Sequence, residues 1–584
     1  MNNIMRNIVW FNMIFTLMFG FCATVGVDIS NTETPEGNWI LLANGSWNEW
    51  GWGTELIDED GSNIFIGTIC DLSNGDYQYV YSFTGDFDNW SGWGNVGNAP
   101  AASSCDFNPN DQWLNYGFSI EGDDLISNFN YWGECGLENS LDPSEVLIRP
   151  VNGDNLNYIH IPFEWVQFPE AIGYNLVASN LIDFSEIILS IFTERILYLD
   201  QDNFYWDNDY YWKIQPVYMN GVGEWTSVNY FSIGSSQFDL TSNILSGEDF
   251  SNEYTIFGDW NNSRTSIIDL DGKEVWNSGT YGFMMNHVSE YGQIFGHSQI
   301  LFPSNTGIEI NYNEQVVWNA EQFIDGHEFK QISNGNYMGF THDWRFGPIP
   351  LGEWTQNFRD MGYQADGETN EYPFLAQKIT EFDQITGEEV WSWSPFDHFS
   401  RLETDLYGGL WWQSLVNGSH DWTHSNAFYF DEFEGAVYIS HRHLSRITKV
   451  SYPSGDVVWN MGMPPTIGLG SNNICTDLEF SYQHHITVLP DGDLLFFDNG
   501  NLDVSVFNQE VPTSRVLRVA VIDDSYCDVV WSHELPAYQF GAGMGSVQLL
   551  ENGNYFVNST GDGGTVLELS PSNEVLWEIN LGLT

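Results

Sequence analysis

Three histidines fall at equivalent places in separate stretches of the chain. His327 stands eight residues before Gly335 and His484 eight before Gly492, each opening a run that turns at Asn-Gly or Asp-Gly. His424 opens the same kind of run in HSNAFYFDEFEGAVYIS, with a longer turn, and Gly545 stands eight before Gly553 in another copy. Imidazole near neutral pH can act as nucleophile, proton donor or proton acceptor. Arg442, in YISHRHLSRITKV, is a cation in a chain with few of them. Its guanidinium fits planar or tetrahedral oxyanions with paired donors. Asn426, two residues after His424, falls on the same strand face and can donate its amide to the same oxygens. Brought to one volume, these groups would form an anion-holding site with a nucleophile inside it. The remaining histidines considered, His287, His342, His398, His420, His441, His443, His485 and His533, are read as mostly surface or supporting residues.

The elements that must position these groups are repeats. Six segments run strand, tight turn, strand and close on Trp276, Trp318, Trp391, Trp459, Trp531 and Trp577. Several are preceded by a second hairpin, as in HEFKQISNGNYMGF, HHITVLPDGDLLFF and GSVQLLENGNYFV. Two hairpins make a four-stranded blade, and six blades in a ring make a propeller. The first strand of each blade then lines the central channel, so His327, His424 and His484 gather at one mouth although far apart in sequence. Trp-to-Trp intervals of 42 to 73 residues leave room for insertions that build a site. If His484 faces the channel, strand alternation turns His485 away into the blade or an adjoining sheet.

Composition agrees with an all-β chain of 584 residues, rich in aromatics and Gly and without sustained helical periodicity. The expected order is a signal peptide at 1–26, a β-sandwich module at 35–140, a second at 143–234 and the propeller at 250–584. The first module resembles small β-sandwich modules, some carbohydrate-binding, that are appended to secreted bacterial enzymes. The second, with FEWVQFPEAIGYNLVAS and YYWKIQPVYMNGVGEWTSVNYFSI, resembles a fibronectin type III domain with Trp165 and Trp212 between its sheets. Arg6 followed by IVWFNMIFTLMFGF reads as an export signal, which places the protein in the periplasm, at the cell surface or outside the cell. Phe21 before Cys22 is not the small residue a lipoprotein signal needs. No later stretch is apolar enough to span a bilayer. Setting Cys22 aside leaves five cysteines, so one thiol stays free or pairs outside the chain. Cys105 with Cys135 is the preferred bridge, and Cys475 can pair with Cys527. With 80 acidic against 16 basic residues, the formal charge of −64 repels nucleic acid and anionic membranes.

DWTHSNAFYFDEFEGAVYISHRHLSRITKV and FSYQHHITVLPDGDLLFFDNG resemble the two signature segments of the bacterial arylsulfate sulfotransferases, and GHEFKQISNGNYMGF their first histidine segment. The likeness covers roughly residues 250–584. It implies a six-bladed propeller that moves a sulfuryl group from a phenolic sulfate ester to another phenol, without a nucleotide sulfate donor or other cofactor. By motif, His484 is the residue that becomes sulfated, while His327, His424, Asn426 and Arg442 hold and polarise the sulfate. One histidine could also return a proton to the leaving phenolate. The chain departs from the family in having His485 beside His484, and in having two upstream β modules. The family's redox-sensitive disulfide near the site is not evident, although Cys475 lies nine residues before His484.

Two other readings stay open on the residues alone. One is a non-catalytic surface propeller with glycan-binding modules. The other is a zinc-type hydrolase with His327, His424 and His484 as ligands, against which Arg442 counts because it repels a dication. A formylglycine sulfatase would need a Cys/Ser-x-Pro-x-Arg segment, which the chain lacks.

Overall fold

The computed structural model describes residues 20–583 except 59–60, 62, 102, 104, 121–124, 127–128, 136–145, 170, 220, 246–253, 280–281, 290, 299–305 and 464–472. The described chain is nearly all β and divides into two compact units. The first takes residues up to 154 with 161–203 and 209–232; the second takes 155–160, 204–208 and 233 onward.

Two sandwiches make up the first unit. In the earlier one, strands Phe21–Asp28 and Ile64–Leu72 pair antiparallel in one sheet. The other sheet holds Trp39–Gly45, Thr54–Leu56, Gly75–Gly85, Asn95–Gly97 and Tyr116–Ile120. Alternation of Ala23, Val25 and Val27, all fully buried, explains why Phe21–Asp28 is a strand. The export-signal reading set residues up to about 26 aside; residues 1–19 lie outside the described chain, but the fold takes in Phe21–Gly26. Cys22 bonds to Cys70 there. With Cys105–Cys135 and Cys475–Cys527 also bridged, all six cysteines are paired. The expectation of an odd thiol is therefore corrected, since it came from counting Cys22 out. In the later sandwich Trp165 and Trp212 are buried, Trp165 packing edge-on against Tyr174 and Trp212 against Phe163 of the facing sheets.

The second unit is a succession of antiparallel sheets. The first described is three-stranded, Tyr254–Asp259, Arg264–Asp269 and Glu274–Asn277. Sheet two begins at Phe283–Val288, sheet three at Phe329–Gln331, sheet four at Ser425–Asp431, sheet five at His484–Val488 and sheet six at Ser546–Leu549. The repeated tryptophans all sit on the closing strand of a hairpin, and their indole N–H groups link each sheet to the next. Trp276 donates to Tyr312 O, Trp318 to Gln384 O, Trp391 to Pro453 O, Trp459 to Asp524 Oδ1 and Trp531 to Pro571 O. Trp577 of sheet six donates at 3.0 Å to Leu270 O of sheet one. Sheet six also gains Asn243–Ile244 as a strand beside Val575–Asn580. Apolar residues fill the seams, with Phe340 and Phe374 of sheet three against Phe428 and Ile439 of sheet four. The long hairpin of sheet three, Tyr337–Pro348 with Asn370–Phe382, carries the helix Thr355–Asp360, and the helix Leu410–Asn417 precedes sheet four.

Three first strands carry a β-bulge. In each, one residue is skipped by the pairing, namely Asn286 in sheet two, Asn426 in sheet four and His485 in sheet five. A bulge re-aims the side chains around it, and these bulges lie beside the histidines.

Candidate active site

His484 sits in sheet five with its ring almost fully buried. Its Nδ1 faces Asn499 Oδ1 at 2.8 Å and Tyr482 O at 3.1 Å, both acceptors. The orientation of the Asn499 amide is fixed because its Nδ2 donates to Gly541 O and Met544 O. Nδ1 must therefore carry the proton, which leaves the lone pair on Nε2. Nε2 accepts a hydrogen bond from the backbone N–H of Met544 at 3.2 Å. Gly545, at the histidine-equivalent position of sheet six, follows this donor. Burial first, and then Arg442, hold the His484 pKa well below its ordinary value, so the ring stays neutral.

His327 lies in the opposite regime. Its Nδ1 pairs with Asp325 Oδ1, while Asp325 Oδ2 lies 2.9 Å from His342 Nε2. Burial alone would lower its pKa; the charge and hydrogen bond of Asp325, with Asp421 behind, outweigh burial and raise it. The Asp325 carboxyl is itself held far below the usual range, against burial, chiefly by the His327 charge. The His327 and His424 rings meet edge-on with centroids 4.6 Å apart.

His424 pairs through Nδ1 with Asp421 and adopts a left-handed backbone, φ +45°. Although Asp421 pulls its pKa upward, burial prevails, helped by the neighbouring His327 and Arg442, and the pKa is lowered. His443 stacks on His424 at 4.4 Å, donates Nδ1–H to Asp421 O and receives an Arg442 N–H at Nε2, 2.7 Å away. Arg442 lies over the Tyr482 ring and gives a second N–H to Ala542 O at 3.0 Å. Its Nε is buried without a partner among the described residues. The backbone 542–544 thus touches both the guanidinium and the His484 ring.

The structure therefore brings His327 and His424 together and ties His484 and Arg442 to one backbone segment. It departs from the sequence reading at two neighbours. Asn426 lies at a bulge and donates its amide to Gln483 O at 2.8 Å, which positions the residue before His484. His485 does not turn into the blade by simple alternation. It is skipped by the pairing, has φ +55° and is partly exposed. Burial, and then Lys330 of sheet three, push its pKa down to about 4.

Asp325, Asp421, His443, Asn499 and the Met544 amide escaped the sequence reading as site residues. Asp325 and Asp421 stand two and three residues before their histidines, a spacing that could have flagged them. Among the described residues, Asp421, His424 and His443 have donor atoms within 4.8 Å of one another. His424 Nδ1 already pairs with the Asp421 carboxylate, both His443 nitrogens are taken by Asp421 O and Arg442, and His327 and His484 are not in the set.

Sheets one to five of the second unit, and sheet six apart from Asn243–Ile244 and the last residues of Val575–Asn580, fall inside the match to the arylsulfotransferase (ASST) family, which spans residues 246–578. No curated protein matches the chain. Solved structures give remote likenesses. A Bacteroides caccae protein of unknown function has 12% identity and a TM-score of 0.31, covering 56% of this chain and 94% of its own. The Myceliophteria thermophila Cps50 (Swd1) β-propeller domain has 9% identity and a TM-score of 0.29, covering 58% and 88%. A fibronectin type III domain of the human KIAA0970 protein has 18% identity and a TM-score of 0.14, covering 20% and 90%. With more than half of its length inside the family match, and the histidines and Arg442 within it, the chain belongs to the arylsulfotransferase family.

Proposed function

We propose that the second unit is a closed six-bladed propeller and that it transfers a sulfuryl group between phenols through a sulfated His484. Closure is supported by the tryptophan hydrogen bonds, which pass from sheet to sheet and return from Trp577 to Leu270. The observation that carries the reaction is the opposed state of two neighbouring imidazoles. His484 is neutral, with an unprotonated Nε2 whose lone pair is held by the Met544 N–H until that donor turns to a sulfuryl oxygen, while His327 is biased toward the imidazolium. Environments that separate two pKa values in this way assign the base and the acid.

In the first step Nε2 of His484 attacks sulfur, an N–S bond forms and the S–O bond to the phenol breaks. The departing oxygen takes the electron pair and then a proton from His327. Nδ1–H of the sulfated ring, now cationic, is held by Asn499. Arg442 and the Met544 amide meet charge on the sulfuryl oxygens, where one fixed donor is commonly worth about 10²–10³ in rate. In the second step an acceptor phenol gives its proton to neutral His327 as its oxygen attacks sulfur, and the N–S electron pair returns to Nε2. The three disulfides fit an oxidising location outside the cytoplasm. The test is transfer from p-nitrophenyl sulfate to a second phenol, with an SO₃ increment on the His484 peptide. Turnover that survives His484→Ala, or that is lost on adding EDTA, overturns the proposal.

A further inference from the structure

Outside the site, the first sandwich repeats one loop. Gly45-Ser-Trp-Asn-Glu-Trp50 and Gly85-Asp-Phe-Asp-Asn-Trp90 share a pattern of Gly, a polar residue, an aromatic, Asn or Asp, any residue and Trp. Their backbones repeat as well. Each has an extended Gly or near-extended start, a single 3-10 turn over Ser46–Asn48 or Asp86–Asp88, and two left-handed residues, Glu49–Trp50 or Asn89–Trp90. In each, the Trp backbone N–H returns to the Gly carbonyl, at 3.1 Å for Trp50 and 2.9 Å for Trp90.

The loops meet through their aromatics. Trp50 and Trp93 lie with ring centroids 6.3 Å apart. Trp52 covers Gly92 so closely that a Cβ there would come within 3.2 Å of the indole. The carbonyl of Gly92 is pinned by Asn44 and Ser82 at 2.8 and 2.7 Å, so the platform is built from below. Trp47 of the same loop packs against Tyr79 and Phe118 in the core. Trp52 and Trp93 are left 52% and 41% exposed. The fold thus packs one tryptophan against the core and leaves Trp52 and Trp93 facing water. Contiguous exposed aromatics mark a binding surface.

We infer that Trp50, Trp52 and Trp93 form a docking platform for an uncharged oligosaccharide. The electron-rich indole faces attract the weakly positive C–H groups of a pyranose face. Trp52 and Trp93 indole N–H groups donate to no described residue and can reach sugar hydroxyls. Glu49, Asp86 and Asp88 border the loops in a chain of net charge −64, which repels sulfated or uronate polymers. The same carboxylates would have to be desolvated for the loops to enter a bilayer, which disfavours a lipid surface. A sugar instead leaves them wet or hydrogen-bonded.

The full chain should be slowed in native gels containing at least one of xylan, galactomannan, hydroxyethylcellulose or soluble starch. Carrageenan and phosphatidylcholine vesicles should not bind it. Trp52→Ala with Trp93→Ala should weaken retention at least 10-fold with an unchanged thermal midpoint, and His484→Ala should leave retention intact. No retention by any of the four polymers, retention unchanged in the double variant, or preferential binding to carrageenan or vesicles overturns the proposal. Conversion of p-nitrophenyl sulfate is measured on the same variants, so failure of the platform and failure of the transfer chemistry appear separately.

Discussion

Replacing Asp325 with Asn tests the acid role of His327 without altering side-chain size. Asp325 is the largest influence opposing burial at His327, through a carboxylate pair and a further contact to its backbone N–H. His424 shows what the site does with less help: one carboxylate, Asp421, does not prevent its pKa from being lowered. Without the Asp325 charge His327 should therefore fall below the ordinary histidine range. The proton would be missing at neutral pH. A positioned general acid is worth about 10²–10⁴ in rate, roughly 3–5 kcal/mol of barrier. The loss depends on the leaving group. Phenolate, whose conjugate acid has a pKa of about 10 like tyrosine, needs the proton; p-nitrophenolate, a far weaker base, needs little of it. The assay is kcat/KM against pH for phenyl sulfate and p-nitrophenyl sulfate with one acceptor in saturating amount. Asp325→Asn should move the alkaline limb to lower pH and slow phenyl sulfate at least 100-fold, with a much smaller loss for p-nitrophenyl sulfate. Equal losses on both substrates, or an unmoved alkaline limb, refute the assignment of His327 as the acid.

Three other outcomes follow from the same contacts. Asn499→Leu removes the nearer of the two acceptors facing the His484 Nδ1–H and leaves Tyr482 O; that bond is worth about 1.5–3 kcal/mol once the ring is charged, so the single-turnover rate of His484 sulfation should fall about 10- to 100-fold while wild-type KM is nearly kept. Cys475→Ser with Cys527→Ser opens a bridge of sequence separation 52, whose loop entropy is about 4 kcal/mol; the urea midpoint should fall, and activity should persist below the new midpoint. Acid should destabilise the fold through buried neutral histidines. Burial pushes His420 down to about 3 and His297 to about 4. The unfolded chain takes those protons first, near pH 6.5, so stability is lost as pH falls from there toward the folded values, by up to about 1.4 kcal/mol per unit for each group. Denaturant titrations between pH 7 and 4 check this, and a flat profile contradicts it.

The sequence carried the repeats because each copy must bury the same face, so Trp276 to Trp577 and the histidine register stand out as periodic signals. Asp325 and Asp421 were hidden because they are two of 80 acidic residues, among which a single one is unremarkable. Only their bonds to His327 and His424 give them meaning. The Met544 amide was invisible, since a backbone donor leaves no residue-type trace. Cys22 was misassigned because a small apolar stretch serves equally as the end of an export signal and as an alternating strand. Asn426 was placed by assuming regular alternation, which its own bulge breaks.

The bulge also settles how His484 and His485 can be told apart. A left-handed residue at φ +55° suits Gly at little cost and strains a β-branched side chain. If His484 is the nucleophile and His485 only turns the strand, His485→Gly keeps the bulge, the Nε2 lone pair and transfer within a few-fold. His485→Val should instead lower both the thermal midpoint and the rate, because relieving the strain means straightening the strand and rotating His484 away from Asn499 and Met544. If His485 itself attacked sulfur, Gly would be as inactive as Val, and the SO₃ increment would vanish from the peptide carrying both histidines. Activity in the Gly variant together with loss in the Val variant is the outcome that the geometry requires. Equal inactivity of the two, with both folded, would move the nucleophile to position 485.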